Sequence, residues 1–77
     1  MFHVKAYRSD PTQCENSREL DRITETDLSC ERDNRTDATV QARYCLRCGY
    51  WVEVYAANGE LLAGPFDPDQ SAPTYIV

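Results

Sequence analysis

The sequence predicts a small α+β domain: a three- or four-stranded antiparallel sheet with one short helix, held by a cysteine staple. Three observations lead there. Residues 2–8 and 38–44 alternate apolar and polar side chains, as half-buried strands do. A third apolar run at 50–56 is followed by Asn58-Gly59, the preferred central pair of a two-residue type I′ hairpin. Between the first two alternating segments lies a polar stretch in which Leu20, Ile23 and Leu28 fall loosely on one helical stripe.

The first strand places Phe2, Val4 and Ala6 on one face and His3, Lys5 and Tyr7 on the other. Ser9-Asp10-Pro11-Thr12 supplies turn formers, and Pro11 blocks continuation of the ladder, so Cys14 sits just past a strand end. A short helix is expected from Asn16 to about Asp27, with Asn16 and Glu19 spaced for a capping box and Thr24 and Thr26 lowering its propensity. Cys30 opens a charged and polar run to Asp37, which reads as a solvated loop.

From Ala38, the residues Val40, Ala42 and Tyr44 alternate with Thr39, Gln41 and Arg43 and run into Cys45, predicting a second strand. Tyr50–Ala56 is rich in aromatic and β-branched residues, and Glu60–Ala63 returns after the turn. With Ala57 and Glu60 flanking that turn, Val54 falls opposite Ala63, Tyr55 opposite Leu62, and Trp51 close to Phe66. One face of the hairpin then packs on the first strand and helix. The other, with Trp51, Tyr55, Leu62 and Phe66, is core filling or a surface for a partner. Residues 64–73 hold three of the four prolines and read as an extended tail, after which Thr74–Val77 has the composition of a short edge strand.

A chain of 77 residues makes one domain, 1–77, and so short a domain often needs a staple. Met1–Arg8 reaches charges within a few residues and has no signal-peptide core, which predicts a cytoplasmic protein. Disulfides do not persist in that compartment, so four cysteines with one close pair read as metal ligands ahead of two bridges or free thiols. No window has the apolar length of a membrane span. The formal charge of −5, from 8 Lys plus Arg against 13 Asp plus Glu, argues against binding phosphates, because nucleic-acid binders present a basic face. It is the ordinary charge of a solvated surface.

Cys45-Leu46-Arg47-Cys48-Gly49 has the spacing at which two thiolates reach one ion if the chain turns tightly between them, and Gly49 allows φ > 0 as the chain reverses. Flanked by predicted strands, this segment resembles the knuckle of zinc-ribbon and rubredoxin-like zinc-finger proteins over residues 38–66. The resemblance implies a local hairpin that holds a metal; by elimination among the four cysteines, Cys14 and Cys30 complete a structural Zn2+ site, with His3 as the reserve ligand. It departs from the zinc-ribbon pattern in having one knuckle, since Cys14 and Cys30 are far apart in sequence. A thioredoxin-like use of Cys45 and Cys48 requires the pair at a helix N-terminus, whereas here it precedes a strand.

The lone histidine has no triad context and no glycine-rich phosphate loop exists, so the chain reads as a non-enzymatic binding protein that acts by protein–protein contact. Trp51, Tyr55 and Phe66 are the candidate anchors. Four alternatives remain at this level: an acidic, phage-type inhibitor that mimics nucleic acid, a zinc-ribbon nucleic-acid module built on Arg43, Tyr44, Arg47 and Tyr50, a thiol oxidoreductase, and a structural subunit of a larger assembly.

Overall fold

The computed structural model describes residues 1–70. The first alternating segment forms strand β1, Phe2–Tyr7. Asp10 then caps a 3₁₀ turn at Pro11–Gln13 by accepting from the Thr12 N–H at 2.9 Å.

Helix α1 spans Ser17–Ile23 and begins as its sequence predicts. The Asn16 side chain accepts from the Glu19 N–H at 3.0 Å, and the Glu19 carboxylate turns back to accept from the Glu15 N–H at 2.8 Å. It stops short of the expected Asp27. Thr24 leaves the helix in an extended conformation and bridges to Tyr7, with Arg8 N–H donating to Ile23 at 2.7 Å and Glu25 N–H to Ala6 at 2.8 Å. Pairing with the open edge of β1 satisfies backbone groups that another helical turn would satisfy internally.

The same edge captures Cys30–Arg32 as strand β2, where a solvated loop was expected; Val4 pairs with Cys30 and Phe2 with Arg32. A larger correction follows at Arg35–Arg47, which is a helix, α2, in place of the predicted strand from Ala38. Val40 and Tyr44, which suggested a period of two, are 60% and 47% exposed, whereas Ala38, Ala42, Cys45 and Leu46 are buried. Those four positions follow a helical stripe. The start is capped by Asn34, whose side chain accepts from the Asp37 N–H at 2.9 Å and donates to the Asp37 carboxylate at 3.1 Å. Asn34→Ala is expected to cost about 1 kcal/mol, lowering a thermal midpoint by about 4–8 °C, while Asn34→Ser stays near wild type. A melt of the two variants beside the parent checks this.

At the other end Gly49, at φ 91°, forms a Schellman motif: its N–H donates to Leu46 at 3.0 Å and the Tyr50 N–H to Cys45 at 3.1 Å. The positive φ expected of Gly49 is present, but it caps a helix; the segment is not a turn between strands.

Strands β3, Trp51–Ala56, and β4, Leu61–Phe66, form the predicted hairpin and complete a four-stranded antiparallel sheet in the order β2-β1-β3-β4. The turn differs in type. Gly59 has φ 88° and Asn58 does not have positive φ, Gly59 N–H donates to Ala56 at 3.0 Å, and Ala56 N–H donates to Glu60 at 2.8 Å. The result is a three-residue loop with glycine in the left-handed position, flanked by Ala56 and Glu60. Tyr55 therefore pairs with Leu61, not Leu62; a register shift then restores the expected Val54–Ala63 pair, and a second brings Val52 opposite Phe66. Gly64, Pro65 and Phe66, read from sequence as tail, belong to β4, with a cis Gly64-Pro65 bond. The predicted edge strand at Thr74–Val77 lies outside the described residues.

Helix α2 packs across one face of the sheet against β1, β2 and β3. Val4, Ala6, Val52 and Val54 meet Ala38, Ala42, Cys45 and Leu46 there, and the two alanines permit close approach of helix to sheet. Among the described residues no helix is long and apolar enough to cross a membrane.

Candidate functional site

The face opposite α2 holds the chemically distinctive groups. Period-two alternation places His3, Lys5 and Tyr7 of β1 on it together with Trp51, Glu53 and Tyr55 of β3. The register aligns His3 with Tyr55, Lys5 with Glu53, and Tyr7 with Trp51. Glu31 of β2 stands beside His3, its Oε1 3.4 Å from Nδ1, and Leu61 of β4, 44% exposed, pairs with Tyr55.

Glu53 is only 7% exposed, an uncommon position for a carboxylate. Its Oε1 accepts from the Tyr55 hydroxyl at 2.7 Å. Tyr7, 1% exposed, lies close to Glu53; burial first and then that carboxylate push its phenol well above the ordinary value. Burial and Glu53 likewise push Tyr55 up to about 12. Both tyrosines are therefore held neutral, and the buried carboxylate is satisfied by the Tyr55 hydroxyl.

This arrangement leaves Lys5 apart from Glu53 despite their pairing across the strands. The Lys5 ammonium lies over the Tyr55 ring, 4.9 Å from its centroid, and among the described residues it has no carboxylate partner. Beside it is a recess of about 290 Å³ lined by His3, Lys5, Tyr55, Ala56, Ala57 and Gly59.

Of the three anchors expected from sequence, Trp51 and Tyr55 share this face and are half-buried, while Phe66 packs against the core cluster on the α2 side. Leu61 takes its place beside Tyr55 because the turn is one residue longer than predicted. The alternation of the first strand already put His3 and Lys5 on one face. What sequence lacked was the register that sets them beside Tyr55 and Glu53.

The predicted metal ligands are distributed differently. Cys30 and Arg32 of β2 face α2, where the Arg32 guanidinium donates to Gln41 at 3.4 Å, and Gln41 donates to the Leu28 carbonyl at 2.8 Å and to Cys45 Sγ at 3.7 Å. Cys45 is fully buried and Cys48 is exposed at the helix end. Cys14 stands beyond the 3₁₀ turn, where partial burial and then Glu19 and Asp10 raise its thiol. All four cysteines are free thiols, and among the described residues no group of three or more His, Cys, Asp or Glu is arranged to hold a metal ion. As placed, the four thiols do not fit a tetrahedral zinc shell, which needs all four donors on one centre.

Cys45 and Cys48 also sit at the C-terminal end of α2. There the helix dipole opposes a thiolate, the reverse of the N-terminal placement that activates a thioredoxin-like pair. Burial, aided by the fields of Cys30 and Cys48, pushes the Cys45 thiol up to about 11. At neutral pH it is protonated and a poor nucleophile.

The chain matches no protein-family model, no curated protein and no solved structure. Fold and site together define a two-layer α+β protein with one helix-covered sheet face and one face carrying aromatic and charged side chains.

Proposed function

We propose that this protein is a small binding protein that acts by contact with another protein, through the sheet face opposite α2. The observation that supports this reading is the grouping of Trp51, Tyr55 and exposed Leu61 on that face, ringed by His3, Lys5 and Glu31. Aromatic anchors within a polar rim are the usual composition of a protein interface centre. The Tyr55 ring is preorganised by its bond to Glu53 and by Lys5 above it, so little side-chain entropy is lost when a partner closes over it.

Site-directed photocrosslinking in lysate tests the reading. A photoreactive phenylalanine analogue at Leu61 is expected to give a discrete crosslinked band that Trp51→Ala weakens at least tenfold, as loss of about 1.4 kcal/mol or more at a central anchor requires. The same probe at Val40, on the outer side of α2, serves as the reference. Equal crosslinking from both positions, or a band at Leu61 indifferent to Trp51→Ala, rejects this face as the interface.

A further inference from the structure

The chain contains a single histidine, His3, and a single lysine, Lys5, and both line the same recess. In a protein of net charge −5 the amine stands over an aromatic ring and, among the described residues, pairs with no carboxylate. Its cross-strand acid, Glu53, accepts from the Tyr55 hydroxyl instead. Among the described residues the Lys5 ammonium thus has no partner besides the Tyr55 ring, and it lines a recess together with Ala56, Ala57 and Gly59 at the hairpin end.

We propose that this recess is a binding site for a small organic monocarboxylate, held by its charge on Lys5 and by its apolar body against Tyr55, Ala56 and Ala57. Its volume of about 290 Å³ lies at the small end of the range for ligand pockets, about 300 Å³ upward. A single ammonium offsets a single negative charge. His3 is already beside Glu31 at 3.4 Å, and the protein carries a net charge of −5, so a doubly charged phosphate meets more repulsion than one cation relieves. The apolar wall favours a compact ring over acetate, since each buried carbon adds to the hydrophobic term.

The site goes beyond the protein-contact reading and is tested separately from it. The full chain, labelled with ¹⁵N, is titrated with benzoate, benzamide, acetate and inorganic phosphate while backbone amides and the His3 ring signals are followed. Benzoate is expected to produce saturable shifts confined to His3, Lys5 and Tyr55–Gly59. Acetate is expected to bind more weakly, and benzamide and phosphate at least tenfold more weakly. Lys5→Gln, at an exposed position, is expected to keep the dispersed spectrum and to lose benzoate affinity at least tenfold, whereas Trp51→Ala leaves it unchanged. Benzamide binding as well as benzoate, shifts scattered over the chain, or an unaltered Lys5→Gln titration overturns the proposal. Loss of crosslinking in Trp51→Ala with intact benzoate binding separates this site from the protein-contact surface.

Discussion

Gly64→Ala is expected to lose about 3 kcal/mol or more of stability, the largest effect among the three glycines. Two independent causes add at this position. Its φ of 100° lies where L side chains are strained, and a Cβ built there would meet the Val52 carbonyl oxygen at 2.6 Å, Glu53 Cα at 3.2 Å and Phe66 N at 3.3 Å. All three atoms are backbone, so no side chain can rotate away and β3 and β4 must separate. Gly49 and Gly59 share the positive φ but have nothing within 4 Å, which makes Gly59→Ala the control, at about 1–2 kcal/mol. Urea or thermal denaturation of the two variants distinguishes them. For a chain this short, each kcal/mol is worth about 4–8 °C in midpoint, so Gly64→Ala should melt well below Gly59→Ala. Equal losses would mean that β4 has room to move and that conformational strain alone operates. The same separation would disturb the pairing that brings Leu61 beside Tyr55, so the variant should also weaken crosslinking from the sheet face.

What could be read from the sequence followed the strength of local signals. Strand β1, the cap at Asn16 and the Asn58-Gly59 turn were legible because each rests on a few adjacent residues with one dominant preference. The turn type was not, because Asn-Gly suits both a two-residue loop and a three-residue loop closed by glycine. Helix α2 was missed for a specific reason: Val40 and Tyr44, the largest apolar residues of the segment, face solvent, and the buried stripe consists mainly of small residues, Ala38, Ala42 and Cys45. Period-two counting gave weight to size where packing against the sheet required smallness. Better local evidence lay at the two ends, in Asn34 followed three residues later by Asp37, and in Gly49 just past Arg47 and Cys48, a cap pattern at both termini.

The helical course of residues 35–47 also changes the setting of the cysteines. With residues 38–45 extended, Cys45-x-x-Cys48-Gly49 reads as a metal-binding turn; with them helical, the same residues are a last turn and its glycine cap. Gly49 has the expected backbone conformation for a different cause, which is why the motif alone was persuasive. The candidate site was partly legible, since Trp51 and Tyr55 share a strand face by simple alternation. Phe66 changed faces through the second register shift, between Val52 and Val54, which no local signal announces. Glu53 was least legible: a glutamate in a strand reads as solvent-facing, and its satisfaction by the Tyr55 hydroxyl accounts for its burial.

The second large effect is expected at high pH and centres on Cys45. Burial raises its thiol from 9.0 to about 11 in the folded protein, while the unfolded chain titrates at the ordinary value. A group whose folded pKa is raised contributes its full stability below pH 9 and loses it as pH rises through 11, because the unfolded state ionises first. Two units correspond to about 2 to 3 kcal/mol across that window. Tyr55, raised from 10.0 to about 12, extends the loss to higher pH, and Tyr7 adds to it in the same direction. Urea midpoints measured from pH 7 to 11 should therefore be flat to about pH 9 and then fall steeply. In Cys45→Ala, whose absolute stability drops by the lost sulfur contacts, the decline between pH 9 and 10 should be much shallower, with Cys14 as the remaining raised thiol, and should steepen only where the tyrosines titrate. A wild-type profile that coincides in shape with Cys45→Ala between pH 9 and 10 would show that the thiol does not govern alkaline stability, and that its burial between Gln41 and Leu28 leaves it free to ionise in place.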